Sequence, residues 1–487
     1  MCHTAVFVSP TSIVESDESL FRYTSGRWLY NESEQMAQRY TKFDVAALNR
    51  IISTACNGAS VLRMEKKEEV FNKSFIATLT NGRRVVARIK SPVAGPAHLT
   101  TASEVATMDF TRTVLGVPVP KVLAWSSQAA TNGVGAKFIL MESAPGVQLS
   151  TVWPRLSPRD KKNIVNSLIA TEQGLLEARF SHYGSLYYKA DLFANRARDL
   201  DAATDKFCIG LIADRTFYED ERASMPLDRG PCTPDSDIRA GLFRAVVGPQ
   251  LQAEHLAVLA QYRSIVPALV PTDERALAPF LWHPDLNPGN IFPIDWQDAW
   301  AGPAYLQTTT PAFVQYTGPD ASLVGPPYDA MPPAERARAQ RAHKDKMLQK
   351  LYEIKQLVPW RHGLGRRRTM TLPVRSAGRT WKDGILPLKL ALLSVAAEWP
   401  ALATPGAACP LCVTREEVDA LGAQRARYVE GHAVLEGMRR AFGMRVHGWV
   451  STGEYGRKRK LLDEAVSVLE GGMEAGGGWS PFRDTVY

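Results

Sequence analysis

Two periods of apolar residues alternate along the first part of the chain. Residues 44–55 (DVAALNRIISTA) space them as a helix does, whereas residues 74–80 alternate with period two, the mark of a half-buried strand. Asn81-Gly82 follows directly, a dipeptide suited to the positive φ angles of a tight hairpin, and residues 84–89 (RVVARI) return as the second strand. The pattern predicts a helix over 101–115, with Thr101 as N-cap and Glu104 at capping-box spacing. Pro118 and Pro120 break the chain before another strand. The apolar run 137–142 (KFILME), closed by Pro145-Gly146, reads as a buried strand. The first 150 residues therefore form a small strand-rich unit with one internal helix.

Beyond residue 157 the pattern turns helical. Helices are predicted over 159–178, 237–266, 333–357, 383–399, 414–442 and 458–470, joined by Pro- and Gly-rich connections at 225–235 and 317–333. No internal repeat is present. The expected organisation is a flexible N-terminus (1–22), a strand-rich lobe with an N-terminal extension (23–146), a large helical lobe (147–470) and a flexible Gly-rich tail (471–487).

Composition narrows the class without changing this picture. With 487 residues, 45% of them hydrophobic and 22% charged, the chain is globular and large enough for about two or three folding units. A net charge of +8 and a pI near 9.1 suit an anionic partner. The basic residues are dispersed, however, and the runs at 366–368 and 457–460 carry no interleaved aromatics, so nucleic-acid binding has no reading element. The six cysteines are too scattered for a disulfide framework, and Cys409-Pro410-Leu411-Cys412 lacks the second pair of ligands a structural zinc requires. No stretch approaches the ~20 apolar residues of a membrane span. The first 20 residues lack Lys and Arg and carry Glu15, Asp17 and Glu18, which fits neither a secretory signal nor a transit peptide.

Candidate chemistry is concentrated in residues 281–296, LWHPDLNPGNIFPIDW. The spacing H-x-D-x-x-x-x-N places His283, Asp285 and Asn290 on one loop between predicted strands, and Asp295 follows five residues later. Phosphoryl transfer calls for these residue types. One carboxylate takes the proton of the attacking hydroxyl, and an amide oxygen with a second carboxylate holds the Mg²⁺ that bridges phosphate oxygens. The same residues would also make an ordinary Asp/Asn/Pro/Gly turn.

The motif resembles the catalytic loop of the aminoglycoside phosphotransferase family. More closely, the chain resembles the fungal altered inheritance of mitochondria phosphotransferase-like proteins. The matching stretches run in order from YTSGRWLYNE (23–32) through FNKSF (71–75), RVVARIKSP (84–92), TTASEVATMDF (100–110), ILMESAPG (139–146) and LWHPDLNPGNIF (281–292) to RTWKDGILPL (379–388) and HGWVSTGEY (447–455). The resemblance implies an α+β, two-lobed, protein-kinase-like fold with a small β-rich N-lobe and a large helical C-lobe. It also implies ATP and Mg²⁺ as cofactors, a small-molecule acceptor, and a mitochondrial location with the cytoplasm as alternative. Asp285 would be the catalytic base and His283 would brace its loop. Asn290 and Asp295 would bind the metal. Arg88 would reach the phosphates, with Glu104 as its partner. Met141 would back the adenine pocket, and the backbone of Glu142 and Ala144 would contact the base.

Three departures from the family pattern qualify the activity. Glu68-Glu69-Val70-Phe71-Asn72 replaces a glycine-bearing phosphate loop, putting two carboxylates and a β-branched residue where backbone N–H groups should approach phosphate. Five residues from Asn290 to Asp295 leave no room for the hairpin that usually separates the two ligands. Gly230-Pro231-Cys232 stands where Gly-Pro-Trp is usual. The sequence thus supports an active small-molecule kinase first and a catalytically weak or inactive pseudokinase, acting as a binding or regulatory protein, second.

Overall fold

The structure is a computed structural model. It describes residues 7–8, 18–68, 71–192, 197–200, 205–233, 253–271, 273–290, 294–316, 318, 324–325, 327–357, 367–445 and 448–473. The chain forms two lobes of α+β architecture, a small β-rich one and a large helical one.

The small lobe is a six-stranded antiparallel sheet. Its strands are β1 (Phe7–Val8), β3 (Val61–Glu68), β4 (Asn72–Leu79), β5 (Arg84–Lys90), β6 (Val122–Ser126) and β7 (Phe138–Glu142), in the order β1-β3-β4-β5-β7-β6. A separate strand, β2 (Gly26–Trp28), lies in the N-terminal extension. The Asn81-Gly82 turn closes the β4–β5 hairpin, with Gly82 at φ 77° and the Asn81 side chain accepting the Arg83 N–H at 3.0 Å. Helices α1 (Glu32–Gln38) and α2 (Val45–Ala55) lie between β1 and β3; α2 falls where the spacing predicts a helix (44–55), and with α1 and the helix that follows β5 the lobe holds more than one internal helix. Asp44 caps α2 by accepting the Ala47 N–H at 2.7 Å. Phe75, Leu79, Val85, Ile89 and Leu140 are fully buried and pack beneath Leu48 and Ile52 of α2.

The capping assignment for the next helix is corrected. Helix α3 spans Ala97–Thr113 and starts after Pro96, so Thr101 lies inside it, fully buried, and is no cap. The capping-box spacing is present, but the fixed φ of Pro96 begins the helix a turn earlier. Val105, Met108 and Phe110 pack this helix onto Ile139 and Met141 of β7 and onto Leu281 and Trp296 of the large lobe.

The large lobe is built on the helices Pro158–Glu177, Ala253–Leu269, Pro333–Tyr352, Leu386–Leu402 and Arg415–Phe442. They match the predicted positions, except that the start of the second (237–252) lies outside the described residues. Tyr262, Leu269, Leu388 and Val395 form the main core there. Cys232 is buried in that core, and its backbone pairs with Tyr183. Cys409 and Cys412 are free thiols, half-buried and exposed.

Strand Trp449–Ser451 pairs antiparallel with β2, matching Trp449 to Trp28 and Ser451 to Gly26. Residues 449–451, expected in the helical lobe, thus join the N-terminal extension. No described helix is long and apolar enough to cross a membrane.

Candidate active site

Strand alternation and register decide which side chains meet. In the β5–β7 ladder Val86 faces Met141 and Arg88 faces Ile139. Because paired residues share a face and every second residue returns to it, Arg88, Lys90 and Met141 belong to one face of the sheet. Asn72 of β4, opposite Lys90, joins them. Helix α3 carries Glu104 against this face.

Arg88 is buried and its Nη1 donates to Glu104 Oε1 at 2.7 Å. The same nitrogen donates to Asp295 Oδ1 at 3.0 Å. Glu104 is wholly buried, and its second oxygen accepts a short hydrogen bond from Lys90 Nζ. Lys90 also donates to Gln297 Oε1 at 2.6 Å, while Gln297 Nε2 donates to the Ala94 carbonyl at 3.1 Å. Two cations, two carboxylates and an amide are thus packed together where water is scarce, and each charge has an opposite partner.

Asp295 has a left-handed backbone at φ 68°, an uncommon conformation for a side-chain-bearing residue. This turns its carboxylate toward the small lobe. Burial pushes its pKa up, but the Arg88 and Lys90 charges, helped by His283, outweigh that and hold it below the ordinary carboxylate range. Its side chain is still 30% exposed, so one side of the carboxylate is open to a ligand.

The loop bearing Asp285 follows strand Pro279–Leu281, which pairs with Ala301–Pro303. His283 is buried edge-on against Trp296, with ring centroids 4.8 Å apart. Its Nδ1 accepts the Asp285 N–H at 3.3 Å, leaving Nε2 to donate to the Ile294 carbonyl at 2.9 Å. Burial lowers the His283 pKa, in keeping with a neutral imidazole that links the two ends of the loop. Asn290 donates through Nδ2 to the Asp285 carbonyl at 2.5 Å and accepts the Asn287 N–H at 2.7 Å. Asp285 itself is exposed, and one of its oxygens accepts from Asn287 Nδ2 at 3.1 Å.

The nine residues singled out in the sequence are therefore not all in one cluster. Arg88, Glu104 and Asp295 touch directly, and His283, Asp285 and Asn290 form a second hydrogen-bonded group joined to the first through residues 294–295. Met141 is buried on the same sheet face as Arg88. Glu142 ends β7 directly after Met141, and Ala144 follows two residues beyond it. The Glu142 carboxylate accepts the Lys121 N–H at 3.1 Å, and its own N–H donates to the Lys121 carbonyl at 3.0 Å.

Lys90, Gln297 and Asn72 went unrecognised as site residues. Lys90 was detectable, since it stands two positions beyond Arg88 on a strand. One expectation about the phosphate loop is corrected: Glu68 does not crowd it. The Glu68 carboxylate is buried, pairs with Lys66, and accepts the N–H groups of Thr24 at 2.7 Å and Ser25 at 2.6 Å. Glu69 and Val70 lie outside the described residues. Among the described residues no strand separates the loop from Asp295, as the short spacing anticipates.

The donor set suits a hard cation held by few protein groups. Asp295 offers an open carboxylate, and the Asn290 amide oxygen keeps a second lone pair beyond the Asn287 bond. No group of three or more His, Cys, Asp or Glu able to hold a metal occurs among the described residues, whereas Mg²⁺ beside phosphates takes only one or two carboxylates.

Residues 69–305 match the phosphotransferase enzyme family. The chain is 30% identical to a subtelomeric hrmA-associated cluster protein of Aspergillus fumigatus, with 83% of this chain and 93% of that protein covered. It is 26% identical to altered inheritance of mitochondria protein 9, mitochondrial, of Kluyveromyces lactis, over 85% of each chain. Among solved structures it is similar to a candidate fructosamine-3-kinase from Thermobifida fusca, at 13% identity and a TM-score of 0.39, covering 73% of this chain and 99% of that one.

Proposed function

The chain belongs to the phosphotransferase enzyme family, of the aminoglycoside phosphotransferase type, and on that premise we propose that it transfers the γ-phosphate of ATP to the hydroxyl of a small molecule. The observation that carries this reading is the meeting of Arg88, Glu104 and Asp295, drawn from a strand, a helix and a distant loop. A phosphate-binding cation, the carboxylate that orients it and a metal-binding carboxylate are the groups phosphoryl transfer requires side by side.

In this reading Arg88 binds the α- and β-phosphates, its fork making paired contacts that a lysine cannot. Asp295 and Asn290 would hold Mg²⁺, which would supply charge neutralisation at the phosphate oxygens. Asp285, exposed at the loop tip, orients the acceptor hydroxyl and takes its proton. His283 keeps that loop in register through its two backbone bonds. Met141 closes the back of the adenine pocket, and the backbone of Glu142 and Ala144 receives the base. The K. lactis relative's name extends to this chain a proposed mitochondrial location, with the cytoplasm as alternative.

A second reading, a pseudokinase that binds nucleotide without turning it over, is favoured by one feature. Both polar atoms of the Asn290 amide are engaged within its own loop. The test is ADP release from Mg·ATP across a panel of hydroxyl-bearing small molecules, for the wild type and Asp285→Asn. The first reading requires acceptor-dependent turnover that falls about 10²–10⁴-fold in the variant. ATP binding without acceptor-dependent turnover would favour the second.

A further inference from the structure

The polar contacts at the lobe junction close into a ring. Asp295 meets Arg88 at 3.0 Å, Arg88 meets Glu104 at 2.7 Å, and Glu104 is joined by Lys90. Lys90 then meets Gln297 at 2.6 Å, two residues along the chain from Asp295. The two halves of the ring are chemically unlike. The Arg88 half is made of groups that a nucleotide and its metal would draw upon. The Lys90 half contains no group assigned to a ligand and is the more deeply buried, with Lys90 1% and Gln297 7% exposed.

We propose that Lys90 and Gln297 are positioning residues that hold α3 and the two lobes in alignment while Arg88 and Asp295 are occupied by ligand; this rests on the phosphotransferase reading. With Lys90 bound to one Glu104 oxygen, Arg88 can shift toward phosphate without releasing α3. Gln297 fixes Lys90 and, through Ala94 and the 3.5 Å contact from Asn72, ties the segment after Asp295 to the ends of β4 and β5. Without Lys90, both Glu104 oxygens would compete for Arg88, and the cation would be withheld from phosphate. A buried amide and ammonium are costly to keep unless their partners are fixed, which suits a frame that does not change with ligand.

The test is calorimetric titration with Mg·ATP and, separately, with adenosine, which lacks the phosphates. The proteins are the wild type, Lys90→Met, Gln297→Leu, the double variant and Lys90→Arg. Both single variants are expected to lose about tenfold in Mg·ATP affinity, as for other residues that orient a ligand-binding group, with adenosine affinity unchanged. The double variant is expected to be no weaker than the weaker single, because the two residues act through one path. Lys90→Arg is expected to stay near wild type. Unchanged Mg·ATP binding in Lys90→Met and Gln297→Leu would overturn the proposal and leave the phosphotransferase reading intact. Parallel losses for adenosine and Mg·ATP would also overturn it, since they would mark a purely structural role. A wild-type chain that binds no Mg·ATP would overturn both.

Discussion

Arg88 and Asp295 are 207 positions apart in sequence and 3.0 Å apart in the fold. This pair joins the sheet of the small lobe to the loop of the large one. It also places the candidate phosphate-binding cation and the candidate metal-binding carboxylate in direct contact. Removing the guanidinium would leave Asp295 without its cation and Glu104 with one partner. Arg88→Met is expected to destabilise the protein by about 3 kcal/mol, as for a buried pair broken from one side. It is also expected to weaken Mg·ATP binding more than tenfold, with Arg88→Lys intermediate. Denaturant unfolding and calorimetry check the two effects separately.

Glu68 gives a contrasting case. Its carboxylate is spent on Lys66 and on the N–H groups of Thr24 and Ser25. It thus anchors the N-terminal extension to β3. Glu68→Ala would remove the carboxylate paired with the buried Lys66, although Lys66 keeps the carbonyls of Ser19 and Arg22. A loss of roughly 3 kcal/mol in stability is expected, with Mg·ATP affinity unchanged at a temperature where the variant is folded. A strong gain in affinity would show instead that Glu68 repels phosphate.

Glu172 predicts a pH dependence. It is buried between the helices Pro158–Glu177 and Pro333–Tyr352. The Tyr352 hydroxyl lies 2.7 and 2.9 Å from its oxygens, and Gln356 Nε2 donates at 2.9 Å. Burial raises its pKa to about 8, with the Tyr352 hydrogen bond opposing. The folded chain therefore keeps this proton over a range in which the unfolded chain, with a glutamate pKa of about 4.3, has released it. The resulting stabilisation is complete below about pH 4 and is lost as pH rises toward 8, by at most about 1.4 kcal/mol per unit. Glu172→Gln keeps the shape without the titration. Its stability relative to wild type is expected to increase from pH 5 to pH 8 in denaturant unfolding, and a constant difference would contradict the assignment.

Much of this arrangement was legible in the sequence because its signals are local. The turn at Asn81-Gly82 requires positive φ, the strands around it alternate, and His283, Asp285 and Asn290 fall on one short loop. Lys90 lies in the same pattern as Arg88, but no motif drew attention to it. Gln297 could not be found locally, since its partners are about 200 residues away. Glu68 was misread because a linear string does not show which face of β3 its side chain takes. Thr101 satisfied a capping pattern that Pro96 had already made redundant. The pairing of Trp449 with Trp28 spans most of the chain, and neither short strand carries a periodicity long enough to announce it.

The central claim, that Arg88, Asp295 and the loop at Asp285 form a nucleotide and metal site, is tested most directly by calorimetric titration with ATP. The titrations would use Mg²⁺ or EDTA, on the wild type and on Asp295→Ala. The account predicts binding that requires Mg²⁺ and is lost, or falls more than tenfold, in Asp295→Ala. Absence of binding, or binding indifferent to both the metal and the substitution, would contradict it.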